Sequence, residues 1–239
     1  MSINYSLLGA VMFSLAVSSV EAAPVIYNNT IPAGTVAFDS TVTGAGGSVV
    51  TDALSGLAYG NTWARTGYTI SSTDGSNRFI DTDYLSSGDS IGINPASPAT
   101  GSGLTFSFNT GVNAFGLEVG DWATCCYLPS SLYISFDGGA TRLVASASSS
   151  ADNAGYVAGL GYQNFVGAID TTNTFSNVTF YGDGFGEYLV AGGTIRYATL
   201  DIGSVPEVPA IPEPETYAMM LVGLGLISFM TRRREKDHV

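Results

Sequence analysis

The chain has 239 residues and a formal net charge of −12, with only 12% charged residues and 30 glycines. The 45% hydrophobic content is enough to build a core, and an acidic chain with eight Lys and Arg lacks the basic footprint of a nucleic-acid binder. Between Pro24 and Ile211 the basic residues are Arg65, Arg78, Arg142 and Arg196, and the one histidine is His238. The central region therefore offers no imidazole for a Ser-His-Asp or Cys-His centre or a His-ligated metal, and no lysine for a Schiff base or phosphate loop.

In chain order, the first segment reads as a secretory signal peptide over residues 1–22. An apolar stretch from Leu7 to Val17 leads to Ser18, Ser19, Val20, Glu21, Ala22 and Ala23, which predicts cleavage after Ala22 by signal peptidase, following export by the Sec translocon. The n-region carries no Lys or Arg, a departure from the usual pattern.

Residues 23–204 form the predicted passenger domain. Short apolar-alternating runs recur between Gly, Asn, Asp, Ser and Pro clusters, the pattern of half-buried strands. The predicted strands begin with Thr35–Phe38, Tyr68–Ser71 and Ser90–Ile93. Leu104, Phe106 and Phe108 then share one face, with Thr105 and Ser107 on the other. Ala114–Val119 follows, then Ser131–Phe136 with Leu132, Ile134 and Phe136 inward. Asp137-Gly138-Gly139 turns that strand into Thr141–Ala145 as a hairpin. Ser146–Asn153 reads as a polar loop, and Tyr162–Val166, Asn177–Tyr181 and Thr194–Ile202 complete the set. The pattern predicts an all-β, two-sheet sandwich of jelly-roll type, flanked by the N-terminal signal helix and a C-terminal hydrophobic helix.

Candidate sites lie in the connections. Cys125 and Cys126 are adjacent in an exported chain, which leaves three readings open: a strained vicinal disulfide, an intermolecular bridge, or unpaired thiols. Trp122, Tyr127 and Trp63 are candidates for stacking on sugar rings, against the alternative that large aromatics fill the core. Asp81, Asp83 and Asp183 are weak calcium candidates, since calcium takes oxygen ligands; the same residue types also make turns. No cofactor is expected beyond such a structural calcium. Glu118 and Glu187 could serve as a glycosidase pair, but no glutamate-rich strand motif accompanies them, and solvated surface carboxylates are the plainer reading. Gly182, Gly184 and Gly186 lack a following Lys-Ser/Thr and read as a turn.

Residues 205–211 form a Pro-rich spacer. Residues 212–239 then place Pro212-Glu213-Pro214 before an apolar run from Tyr217 to Met230 and the cluster Arg232-Arg233-Arg234. That run spans about 21 Å as a helix, short for a ~30 Å hydrocarbon core. The arginines act as a stop-transfer signal that stays in the cytoplasm by the positive-inside rule.

Pro212-Glu213-Pro214, the small-residue stretch Gly223-Leu224-Gly225-Leu226 and the terminal arginines together resemble the PEP-CTERM sorting domain of Gram-negative bacteria. The resemblance implies recognition by an exosortase, cleavage near the Pro-Glu-Pro motif, and a membrane-held intermediate in the inner membrane. It further implies delivery to the cell surface or an extracellular matrix rich in exopolysaccharide, as in biofilm. The step from Leu104–Phe108 through Thr110-Gly111-Val112-Asn113-Ala114-Phe115-Gly116-Leu117 and the final Thr194–Ile202 strand resemble the jelly-roll passengers that accompany this tag, which implies a fold and no activity. The expectation is an exported, non-enzymatic surface or matrix protein. The alternative is a carbohydrate-binding module for envelope or matrix glycan, and the third reading is a glycan-active enzyme.

Overall fold

The computed structural model describes residues 24–82, 84–85, 87–93, 102–124, 128–182 and 189–205. The signal peptide at 1–22, most of the Pro-rich spacer, the sorting residues Pro212, Glu213 and Pro214, the C-terminal apolar helix and Arg232, Arg233 and Arg234 lie outside the described residues, as do Cys125, Cys126, Tyr127, Asp83, Asp183 and Glu187. Ala23–Val208 forms a compact unit of its own. No helix among the described residues is long and apolar enough to cross a membrane.

The elements are β1 (Val25–Thr30), α1 (Ile31–Gly44), β2 (Val50–Ala53), β3 (Thr62–Arg65), β4 (Tyr68–Ser72), β5 (Ile80–Asp81) and β6 (Ser90–Ile93), followed by β7 (Gly103–Val112), β8 (Ala114–Gly120), β9 (Ser130–Phe136) and β10 (Arg142–Ala147). A short helix α2 (Ala154–Val157) precedes β11 (Gln163–Ile169), β12 (Phe175–Gly182) and β13 (Leu189–Ala198). They build two antiparallel sheets. One is seven-stranded, ordered β1-β11-β8-β13-β6-β5 with β2 also on β13; the other is six-stranded, ordered β10-β9-β12-β7-β4-β3. From β6 onward the chain changes sheet at every connection except the β9–β10 hairpin, which gives the sandwich its jelly-roll character.

Side-chain alternation places the core. On β7, Leu104, Phe106 and Phe108 point inward and meet Phe115, Leu117 and Val119 of β8 from the opposing sheet; the Phe106 and Phe115 rings lie 4.7 Å apart. The predicted inward face of β9 is also observed, with Leu132 and Ile134 fully buried. Asp52 of β2 ties the sheets together at one edge. It takes both Arg65 Nη2, at 2.6 Å, and Arg65 Nε, at 2.9 Å, and accepts from the Tyr68 hydroxyl at 2.7 Å.

One predicted strand is a helix. Thr35–Phe38 lies within α1, because Pro32 sits in the first turn and the Thr30 hydroxyl caps the free Ala33 N–H at 3.4 Å. Gly34, Phe38 and Val42 recur at helical spacing and form the buried face. A four-residue window of Thr, Val, Ala and Phe hides that period. The threonines are accommodated by bonding back to carbonyls four residues earlier, as Thr35 does to Ile31 at 2.7 Å. Helix α1 covers the outer side of the seven-stranded sheet, where Phe38 meets Phe165 edge-on at 5.5 Å. Gly116 leaves room for that Phe165 ring: a Cβ there would lie 2.3 Å from it. Strands β1, β2, β3 and β5 are not among the predicted ones. The last strand stops at Ala198, short of the predicted Ile202.

Candidate functional site

Trp122 follows β8 in the connection predicted to carry ligand contacts, but its ring points into the core. Its relative exposure is 0%, and its indole N–H donates to the buried Ser130 hydroxyl at 2.9 Å. Trp63 sits on the inner face of β3, 7% exposed, with its N–H on the Ala58 carbonyl at 2.8 Å. Neither ring presents a face to a sugar; of the two alternatives the sequence leaves open for them, both residues take the core-filling one. Tyr127 lies outside the described residues.

The Trp122 segment nevertheless braces a different aromatic site. Asn153, fully buried, donates from Nδ2 to the Trp122 carbonyl. Its Oδ1 accepts from the Tyr156 N–H at 3.0 Å and from Asn164 Nδ2 at 2.9 Å. Asn164, also fully buried, accepts the Gly155 N–H at 2.7 Å. Two buried amides, each with both its oxygen and its nitrogen partnered, thus pin α2 and the loop after it to the scaffold. Gly155 permits the close approach, since a Cβ there would meet the Gln163 carbonyl at 2.5 Å.

On this base the chain makes a tight loop. Gly159, Gly161 and Tyr162 all take left-handed backbone angles, φ 70°, 66° and 61°. Glycine adopts these freely; tyrosine does so at a cost, the kind of strain that concentrates where a side chain must be aimed. The loop brings Tyr156 and Tyr162 into a parallel stack with ring centroids 5.1 Å apart and planes 16° from parallel. Tyr156 is 43% exposed. Tyr156, Gly159, Gly161 and Tyr162 line a cavity of about 250 Å³. That volume falls below the ~300–1,000 Å³ typical of drug-sized ligand pockets and suits a single ring. Val157 and Leu160 are exposed beside it.

A third tyrosine extends the polar side of this site. Tyr84 lies over Gly120, where a Cβ would be 2.5 Å from its ring, and its carbonyl accepts Gln163 Nε2 at 2.6 Å. The Tyr84 hydroxyl lies near the Asp121 carboxylate and Tyr162. Burial first, and then the Asp121 charge, push its pKa up to about 12, so it stays protonated. The assembly presents an open aromatic face beside a hydroxyl, a carboxylate and an amide. This is the chemistry that holds a polyhydroxylated ring, an apolar face for stacking and edge groups for hydrogen bonds. The sequence reading missed Tyr84, Tyr156 and Tyr162. The one local signal was Gly159-x-Gly161 directly before a tyrosine.

Other sequence candidates fall elsewhere. Glu118 lies on the outer side of the seven-stranded sheet, 2% exposed, and accepts Ser87 Oγ on Oε1 at 2.6 Å. Its Oε2 has no hydrogen-bond partner among the described residues, and burial raises its pKa against the lowering effects of Ser87, the Thr194 backbone and Arg196. It is a buried strand carboxylate, which corrects the reading of a solvated surface acid. Asp81 sits on β5 at the sheet edge. Among the described residues no group of three or more His, Cys, Asp or Glu is gathered as a metal site.

Several solved structures resemble the chain at low identity. One is a mutant of a carbohydrate binding module of family 29, at 12% identity and TM-score 0.36, covering 68% of this chain and 99% of that one. Another is the CBM22-1 xylan-binding domain from Paenibacillus barcinonensis Xyn10C, at 14% identity and TM-score 0.36, covering 64% of this chain and 96% of that one. At such values, function has to be argued from this chain's own residues. No curated protein matches the chain. At the C-terminus, residues 210–234 match the family model described as the PEP-CTERM protein-sorting motif. This chain therefore carries a PEP-CTERM sorting signal, the mark of an exported protein that an exosortase processes.

Proposed function

We propose that the passenger is a non-catalytic glycan-binding module. It is exported through Sec, trimmed by signal peptidase and delivered by exosortase processing to the cell surface or an exopolysaccharide matrix. The observation that carries this reading is the Tyr156–Tyr162 stack, held open over a ring-sized cavity by a buried amide network. The Tyr84 hydroxyl, near Tyr162 and the Asp121 carboxylate, offers a hydrogen-bonding group beside the stack. A non-catalytic role is supported by the state of the strand glutamate: Glu118 is enclosed against Ser87, on the outer side of the sheet. A glycosidase needs two carboxyl groups facing one open cleft.

The test is calorimetric titration of residues 23–208 with short oligosaccharides released from the host exopolysaccharide. That segment is a compact unit containing both hydrophobic cores. The Tyr156→Ala variant is expected to bind at least tenfold more weakly, about 1.4 kcal/mol, with an unchanged melting temperature. Equal binding by parent and variant removes the tyrosine cavity from the reading. Release of reducing sugar during the titration contradicts the non-catalytic assignment.

A further inference from the structure

The outer side of the six-stranded sheet carries a separate pattern. Cross-strand register aligns Thr62, Ser71, Thr105, Thr179 and Ser135 in one row across β3, β4, β7, β12 and β9. Every member bears a hydroxyl; Thr62 is exposed, Ser71, Thr105 and Thr179 are half-buried, and Ser135 is buried. The next row holds Thr69, Ser107 and Asn177. On the other flank, Tyr133 and Tyr181 are cross-strand partners, with rings stacked at 5.5 Å and planes 24° from parallel. Gly103, paired with Tyr181, makes room there: a Cβ would lie 2.6 Å from the Tyr181 Cβ. Strands lie about 4.8 Å apart and like-facing residues about 7 Å apart along a strand, so the long row spans about 19 Å.

The long row carries no charged residue, while the next row ends at Asp137, whose carboxylate accepts from Asn177 Nδ2 at 3.2 Å and adds a negative charge, in a chain whose net charge is −12. The hydroxyls are also ordered before any ligand arrives. Thr105 and Thr179 share a hydrogen bond at 3.1 Å, Ser107 donates to Asn177 Oδ1 at 2.8 Å, and the Tyr181 hydroxyl is joined to Thr141 at 2.7 Å. A hydroxyl has one donor and two acceptor sites, so each such bond leaves capacity for another partner. The rotor entropy lost on binding is partly paid in advance.

We infer that this sheet face is a docking surface for a neutral polysaccharide strand lying across β12, β7, β4 and β3, where the row is exposed or half-buried. The occupant follows from charge and length. A uronate-bearing polymer would bring carboxylates to an acidic protein with no cation in these rows, whereas a neutral chain offers hydroxyls to match hydroxyls over several sugar units. The face accepts the body of a chain, while the tyrosine cavity accepts one ring. It rests on observations separate from that cavity and stands or falls separately.

Affinity electrophoresis of residues 23–208 through gels containing dextran, glucomannan or alginate tests it. A neutral polymer is expected to retard the protein, and alginate is not. Thr105→Val with Thr179→Val removes two hydroxyls while keeping shape and strand preference, and is expected to weaken polymer retardation at least tenfold. Ser71→Ala with Ser107→Ala repeats the test should the valine pair alter the melting temperature. Tyr156→Ala is expected to leave polymer retardation within twofold while losing the short oligosaccharides. The proposal is overturned if no neutral polymer retards the protein, if alginate retards it equally, if both hydroxyl variants migrate as the parent does, or if Tyr156→Ala alone abolishes retardation. It is also overturned if sedimentation shows the parent to be a dimer that the valine pair converts to monomer, since the face would then be a contact between copies.

Discussion

Trp122→Ala separates a core tryptophan from a sugar-stacking one. The indole is fully enclosed, and its N–H is bonded to Ser130, itself 3% exposed. Removing a buried Trp side chain costs about 3–5 kcal/mol in transfer and cavity terms. Leaving the Ser130 hydroxyl without its donor adds about 1 kcal/mol. The sum, about 4–6 kcal/mol, is a large part of the ~5–15 kcal/mol that holds a domain together. At roughly 2–4 °C per kcal/mol for a domain of this size, the melting temperature should fall by about 10–20 °C. Scanning calorimetry and urea denaturation of residues 23–208 read this directly, with the urea midpoint shifted and the slope preserved. Oligosaccharide binding, measured well below the lowered midpoint, should drop less than for Tyr156→Ala. A variant that melts within 3 °C of the parent and yet loses oligosaccharide binding would refute the argument and return Trp122 to the surface.

Two carboxylates predict opposite pH behaviour. The Arg65 hydrogen bonds hold the Asp52 carboxyl below its ordinary pKa, so its contribution is present above the unfolded value near 3.9 and is lost as pH falls through the lower folded value. Asp52→Asn should therefore melt at lower temperature than the parent at pH 6, and the gap should narrow toward pH 2; a constant gap contradicts the linkage. Glu118 runs the other way. Burial raises its folded pKa, so the native state holds the proton more tightly and stability falls as pH rises from the unfolded value near 4.3 through the folded one. Glu118→Gln should flatten that slope in melting temperatures recorded from pH 4 to 8, and an unchanged slope places its origin elsewhere.

The parts legible in the sequence are those where one face of a strand is buried and the other is wet. Leu104, Phe106 and Phe108 alternate with Thr105 and Ser107 because the six-stranded sheet has one dry side, and the same holds for β9. Strand β8 is buried along its whole length, with its outer side covered near α1 and Tyr84, so alternation there says little about depth. Glu118 looked like a surface acid for that reason. Helix α1 is hidden in the sequence because its period takes nine residues to show, from Gly34 to Val42, while the strand-like run Thr35–Phe38 covers only four. The aromatic site was hidden for a different reason. In a loop, or in a helix of four residues such as α2, no period links side-chain direction to position, so Trp122, which turns inward, and Tyr156, which turns outward, have equal standing in the sequence. What separates them is Asn153, whose buried amide holds both segments at once. That contact spans 31 residues to Trp122 and leaves no trace in local composition.

The distribution of charge ties the two proposed surfaces to the sorting signal. A protein with net charge −12 is kept soluble by self-repulsion, yet the same field would repel an acidic polymer at every approach. A neutral polymer feels no such barrier, so binding it requires uncharged contact area and not a cationic patch. This chain shows that arrangement. Among the described residues its arginines are engaged with carboxylates, as Arg65 is with Asp52 and Arg78 with Asp74 at 2.9 Å. The hydroxyl rows hold no cation, and the carboxylate at their margin, Asp137, is engaged by Asn177. Binding there should depend little on ionic strength, because neither partner releases counterions. Retardation by dextran or glucomannan should therefore persist between 50 and 500 mM salt. A loss of tenfold or more across that range would mean that charge, and not the hydroxyl lattice, makes the contact.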